Sequence, residues 1–243
     1  MQAIKEKLKK LRLSGALAVL ESHNQLALAE QLSYLEFLDL LLENEQAHRQ
    51  ASSYQRRLKS SKLSAQKRLD NYDFDYQPQL PRKQIRQLAS AQFIAQGVNV
   101  ILMGKPGVGK THLANAIGLE ALKHNYTVRF THAHQLINQL HTARADGAYR
   151  NLMNRLLKTD LLIIDELGFR KLPPQGVDDF FEIIRQRYEQ KSIIITSNTT
   201  FEDWGQILGD PVLASAIIDR LLHHAQVFKI TGESYRIKNF KRE

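Results

Sequence analysis

The run GKPGVGKT at 104–111 follows the apolar stretch NVILM (99–103) and leads directly into a helical pattern. That pattern, G-x-x-x-x-G-K-[ST], restricts the chain to folds in which a buried strand, a tight turn and a helix are consecutive. Gly104, Gly107 and Gly109 let the main chain wrap a phosphate with its N–H groups pointing inward, and the helix adds the positive end of its dipole. Lys105, Pro106 and Val108 complete the loop, and His112 follows it as a local packing or hydrogen-bonding residue. Lys110 is placed to reach the β- and γ-phosphates and the Thr111 hydroxyl to coordinate Mg²⁺, so the implied ligands are ATP and Mg²⁺. The alternative, a glycine turn with a solvated lysine, leaves the flanking strand and helix unexplained.

Two further strand ends complete the pattern. LLIIDE (161–166) is an apolar strand ending in two acids. Asp165 is positioned to hold the water shell of Mg²⁺, and Glu166 to polarise an attacking water as a general base. SIIITSN (192–198) ends in Asn198, a side chain suited to holding that water or sensing the γ-phosphate if its strand neighbours that of Asp165. An isolated acid pair or strand-end Asn is commonplace; paired with the P-loop they indicate hydrolysis.

The rest of the chain divides at DNYDFDYQPQLPR (70–82), where Pro78 and Pro81 block regular structure. Residues 1–69 are expected to form a small all-α domain, helical throughout 2–69 with Gly15 as its one breaker; 70–82 a linker; 83–243 the ATPase domain. Ser33 and Glu36 fit a capping box opening a second helix, with Leu35, Leu38 and Leu42 as its apolar stripe. Beyond residue 83, strands expected at 99–103, 128–130, 161–165, 192–196 and 225–230 alternate with helical patterns. The latter fall at 84–96, 111–124, 133–145, 149–158, 175–190 and 212–224. Alternation of this kind predicts an α/β fold with a central parallel sheet covered on both faces.

The formal charge of +9 points to a polyanionic partner. Its distribution sharpens the point. Residues 46–69 carry Arg49, Arg56, Arg57, Lys59, Lys62, Lys67 and Arg68 without one Asp or Glu, a candidate phosphate-tracking surface for DNA. Lys123, His124, Arg129, His132 and Arg144 form a second candidate group, and Tyr54 packs in the core or on a sugar. There is no cysteine, which excludes disulfides and thiolate metal sites. The pairs His132/His134 and His223/His224 have no acid beside them in sequence, so no zinc is expected. No apolar run approaches a membrane span, and no signal peptide is legible, so a cytoplasmic protein with no membrane partner is expected.

P-loop, acidic pair and strand-end Asn together resemble the AAA+ branch of P-loop ATPases. LRLSGALAVLE, LSYLEFLDLLLENEQAHR (32–49), YDFDYQP (72–78), GVNVILMGKPGVGKTHLANAIG (97–118), LLIIDELGF (161–169) and GESYRIK (232–238) narrow this to the IstB family, ATPase helpers of bacterial insertion-sequence transposases. The resemblance covers nearly the whole chain. It implies homo-oligomers formed with ATP on double-stranded DNA, and recruitment of a transposase. It assigns Arg220, in IIDRLL, as an arginine finger acting on a neighbouring subunit's γ-phosphoryl, and Arg236, in GESYR, as a second arginine sensor acting in its own subunit or its neighbour. Without it, Arg220 reads as a surface residue paired with Asp219. The ATPase motifs are shared with DnaC-type helicase loaders, so loading a helicase on single-stranded DNA is the alternative. A non-catalytic DNA-architectural protein using ATP only as assembly glue is a third reading.

Overall fold

In the computed structural model, residues 1–235 are described. They fall into two compact units that divide between Arg56 and Arg57. The first unit contains α1 (Gln2–Lys10), α2 (Ser14–Ala29) and most of α3 (Tyr34–Ser61). Expected helix is therefore interrupted twice, and Gly15 is not the breaker. The chain turns at Arg12, which takes φ 56°, while Gly15 lies buried inside α2. A Cβ there would sit 2.6 Å from the His48 Cβ and 2.8 Å from the Asn44 carbonyl, so the missing side chain is what lets α2 and α3 touch.

The Ser33–Glu36 capping box forms as expected, with the Glu36 carboxylate accepting from Ser33 N at 2.7 Å and Ser33 Oγ accepting from Glu36 N at 3.3 Å. The apolar stripe does not lie where periodicity put it. Leu35, Leu38 and Leu42 are exposed, and α3 turns Leu41 and Phe37 toward Ala16 and Leu20 instead. Glu45 explains the rotation. Its buried carboxylate accepts from Gly15 N (2.7 Å), Ala16 N (3.1 Å) and Arg49 Nε (2.6 Å), capping the orphan amides of α2.

In the second unit a five-stranded, wholly parallel sheet has the order β2-β3-β4-β1-β5. The strands are β1 (Asn99–Gly104), β2 (Val128–His132), β3 (Leu161–Leu167), β4 (Ser192–Ser197) and β5 (Ala225–Ile230). All five expected strands are present. The sequence is apolar on both strand faces because helices cover both, and Val100, Ile101, Leu161 to Ile164, Ile194 and Ile195 are completely buried. The helices are α4 (Arg82–Leu88), α5 (Gln92–Ala95), α6 (Lys110–Lys123), α7 (Ala133–Ala145), α8 (Tyr149–Lys158), α9 (Pro174–Arg187), α10 (Trp204–Leu208) and α11 (Pro211–His223). The expected helix 84–96 is two, because Ala91 takes φ 57° between α4 and α5. Helix α10 was not foreseen; it buries Trp204 completely.

The segment expected to end the helical domain and to form a linker belongs to the second unit. Arg57 donates to the Leu122 carbonyl and to Asn125 Oδ1. Ser64 and Asn115 exchange two hydrogen bonds across α6, and the Arg68 carbonyl meets His112 Nε2 at 2.8 Å. Further on, Tyr76 Oη donates to the Ser234 carbonyl and Gln77 Nε2 to the Glu233 carbonyl. The prolines stop regular structure but not packing. At the end of α9, Arg187 is buried and donates to the carbonyls of Leu156, Thr159, Asp160 and Ser192, pinning the start of β3 to that of β4. Burial holds its guanidinium down at about 10.

Candidate nucleotide-binding site

Parallel sheets present a crevice at the carboxyl ends of their strands, where neighbouring connections diverge. Here β1 lies between β4 and β5, and β4 lies between β1 and β3, so the turns after β1, β3 and β4 share one cavity. Its volume is about 430 Å³, and its walls include Lys110, Thr111, Glu166, Thr196 and Asn198. The fold thus brings together the residues that the three sequence motifs had named separately.

The loop has the backbone that wrapping requires. Gly104, Gly107 and Gly109 take φ of 154°, 83° and 97°, the latter two in the left-handed region that disfavours a side chain. At Gly109 a Cβ would also sit 2.8 Å from the Tyr72 ring. Helix α6 begins at Lys110, whose buried ammonium donates to the carbonyls of Gly104 (2.7 Å) and Lys105 (2.9 Å). Across the cavity, Thr111 Oγ1 lies 2.9 and 3.1 Å from the two oxygens of Asp165, which is completely buried. A glycine cradle, a helix N-terminus, an ammonium, and a hydroxyl beside a buried carboxylate form the donor set that a triphosphate with Mg²⁺ needs.

Asp165 keeps its pairing with β2, but neither it nor Glu166 pairs with β4. Pairing with β4 shifts register between Ile164 and Leu167, and Glu166 takes φ 60°. Thr196 holds this irregularity: its hydroxyl donates to Asp165 Oδ1 at 2.6 Å and accepts from Glu166 N at 2.9 Å. His132 ends β2 opposite Asp165, with Nδ1 3.3 Å from Asp165 Oδ2 and 3.3 Å from Glu166 Oε2. Thr196 and His132 escaped the sequence reading of this site, although each stands at a strand end beside a motif.

The far wall was missed as well. Lys67, Asn71, Tyr72, Asp73, Gln77 and Tyr235 line it, so the expected linker forms part of the cavity. Tyr72 meets His112 and Phe74 edge-on at 5.5 and 4.9 Å, and burial pushes its phenol up to about 12. The backbone N–H of Tyr235 donates to the Gly107 carbonyl, bracing the loop from outside. Arg236 lies outside the described residues.

Arg220 does not share this cavity. It stands on α11, donating to the Ala216 carbonyl at 2.9 Å with its guanidinium 5.2 Å over the Phe181 ring, beside an open depression that Asp219 also lines. Its placement at the margin of the buried face of Ile217 and Leu221 agrees with the sequence.

The basic block is divided. Arg49 is paired with Glu45, Arg57 and Arg68 bond within their own unit, and Lys67 faces the nucleotide cavity; Arg56, Lys59 and Lys62 are exposed. In the second expected group, Arg144 is bound to buried Asp179 and stacks 3.9 Å over Tyr149, and Lys123 pairs with Glu120. Those two are engaged in intramolecular contacts.

The sheet order, the P-loop after β1 and the acidic pair at the end of β3, with β4 between those two strands, define a P-loop ATPase fold of the AAA+ class. In line with this, the fold is similar to that of AMPPCP-bound DnaA from Aquifex aeolicus, with a TM-score of 0.60 at 23% identity over 74% of this chain and 55% of that one. The profile of the IstB-like ATP-binding proteins matches residues 6–243, and the chain belongs to that family. It is 45% identical over 212 residues to an ATP-binding protein of insertion sequence IS5376 from Geobacillus stearothermophilus, covering 87% of this chain and 84% of that one. The corresponding protein of IS21 from Pseudomonas aeruginosa is 40% identical over 98% of this chain and 90% of its own length. Among the described residues no helix is long and apolar enough to cross a membrane.

Proposed function

We propose that this protein hydrolyses ATP with Mg²⁺, oligomerises on duplex DNA in the ATP state, and recruits the transposase of its insertion sequence. The observation that carries the hydrolytic part is the meeting of Lys110, Thr111, Glu166 and Asn198 in one cavity, with Asp165 fixed beside it. Bound Mg²⁺ would supply neutralisation of the negative charge on the triphosphate. The chain's own residues do the rest. Loop amides and Lys110 hold the phosphates; Thr111 and Asp165 are the residues that would hold the ion. Glu166 accepts the proton of the attacking water at its carboxylate, and Asn198 orients that water.

Arg220 supports the oligomeric part. Being outside its own cavity and on the wall of an open depression, it is available to a neighbour's nucleotide, where a guanidinium offsets the developing charge. Hydrolysis then loosens that clamp and releases DNA. The exposed Arg56, Lys59 and Lys62 offer a sequence-tolerant phosphate contact. Membership in the insertion-sequence ATP-binding family supports the transposase as partner. Gel shifts with duplex and single-stranded DNA, with and without ATP, test the reading together with capture of the element's transposase. Duplex binding that requires ATP and retains the transposase is expected; preference for single strands, or no nucleotide dependence, would overturn it.

A further inference from the structure

At the opposite end of the strands from the P-loop, by the amino ends of β4 and β5, three metal-ligating side chains converge. Helix α11 ends at His223 and is capped by His224; helix α9 ends at Arg187, and Glu189 follows in the turn to β4. His223 Nδ1 lies 3.4 Å from Glu189 Oε1, and His224 Nε2 lies 3.5 Å from the same oxygen. All three ligand atoms lie within 4.8 Å of one another. A tetrahedral ion with arms of about 2.1 Å separates its donors by about 3.4 Å, so both measured edges already match.

We infer that His223, His224 and Glu189 form a binding site for a borderline divalent cation, of which Zn²⁺ is the best fit. Two imidazoles and one carboxylate are the donor set that zinc accepts with one position left for water, whereas Mg²⁺ prefers oxygen alone. Each of the three side chains is about half exposed, which leaves that position open. Two helix carboxyl ends converge here, and their partial negative charge favours a cation. The Tyr188 hydroxyl stands 2.8 Å from His223 Nδ1, so an incoming ion displaces it from the imidazole. Asp219 and Arg220 act on the same hydroxyl with opposite sign, the carboxylate pushing its pKa up and the guanidinium pulling it down. The sequence conceals this site, because Glu189 comes from a turn 34 residues before His223. Binding would tie the end of α11, one turn beyond Arg220, to the turn after α9.

The test uses untagged full-length protein, stripped with chelator and titrated calorimetrically with ZnCl₂ in excess Mg-ADP. The nucleotide occupies the other cavity, where His132, Asp165 and Glu166 also cluster. One saturable equivalent of Zn²⁺ is expected, together with a rise in Tm, since the ion binds the folded chain. His224→Ala and Glu189→Gln should each weaken it more than about tenfold and abolish the Tm rise, while His132→Ala leaves both unchanged. The proposal is overturned if the protein takes up no saturable Zn²⁺, if the two variants bind as the parent does, or if His132→Ala removes the equivalent. These side chains are exposed, so folding of the variants is not at issue.

Discussion

Thr196 donates its hydroxyl to Asp165 Oδ1 at 2.6 Å while accepting the backbone N–H of Glu166 at 2.9 Å. One strand-end hydroxyl therefore orients the carboxylate proposed to serve the metal and the peptide that carries the proposed base. Thr196→Val keeps the volume and removes both bonds. A hydrogen bond to a charged group contributes about 1.5–3 kcal/mol, so kcat should fall roughly 10- to 100-fold with ATP affinity little changed. Phosphate release under saturating ATP, beside fluorescent-nucleotide titration, measures the two; an unaltered kcat would refute the positioning role.

Glu166→Gln should leave ATP and ATP-dependent DNA binding intact and slow turnover by about 10²–10⁴-fold, the usual contribution of a general base. Single-turnover hydrolysis is the direct measurement. Hydrolysis at the parental rate would remove Glu166 from the mechanism.

Arg220→Ala should spare nucleotide binding, because the side chain is outside its own cavity, and cost about 10³-fold or more in DNA-stimulated hydrolysis. Mixing this variant with Lys110→Ala distinguishes action across subunits. Mixed oligomers regain activity at interfaces pairing an intact loop with an intact arginine, whereas action within one subunit restores none.

The four carbonyls bound by Arg187 lose their donor in Arg187→Met. Stranding buried acceptors at the start of β3 and β4 should destabilise the second unit by about 3–5 kcal/mol, lowering its Tm by roughly 10 °C. Thermal unfolding followed by calorimetry decides; a shift below a few degrees would mean that water substitutes for the guanidinium.

Glu45 gives the first unit a pH dependence. The Arg49 guanidinium, with the Gly15 and Ala16 amides, holds its carboxyl below the ordinary 4.5 against the opposing effect of burial. A depressed folded value contributes stability above the unfolded pKa and loses it as pH falls through the folded one. Helical CD between about pH 5 and pH 3 should therefore show a drop in melting temperature that Glu45→Gln flattens.

Local patterns carried the sheet. Five strands were legible because covered parallel strands are continuous apolar runs, and the cavity floor was legible because its residues sit at those strand ends or in the P-loop that follows β1. What escaped was assembled from distant segments. Tyr72 lines the cavity across 32 residues from the P-loop's first turn, and no periodicity announces it. Leu35, Leu38 and Leu42 have helical spacing, yet the buried face of α3 was chosen by Gly15 and Glu45, a fit between two helices. Proline at 78 and 81 marked a break in regular structure correctly, but said nothing about whether that segment packs.

The left-handed torsion of Glu166 has a consequence for how two consecutive acids can face the same way. Consecutive residues on a flat ribbon face opposite ways, and one of this pair would otherwise look into the helices behind the sheet. Twisting a single peptide folds them into a pincer, at a cost of about 1–3 kcal/mol that Thr196 helps to offset. Glycine at 166 would relax the twist and delete the outer jaw together, so at this position conformational discomfort and chemical competence cannot be separated.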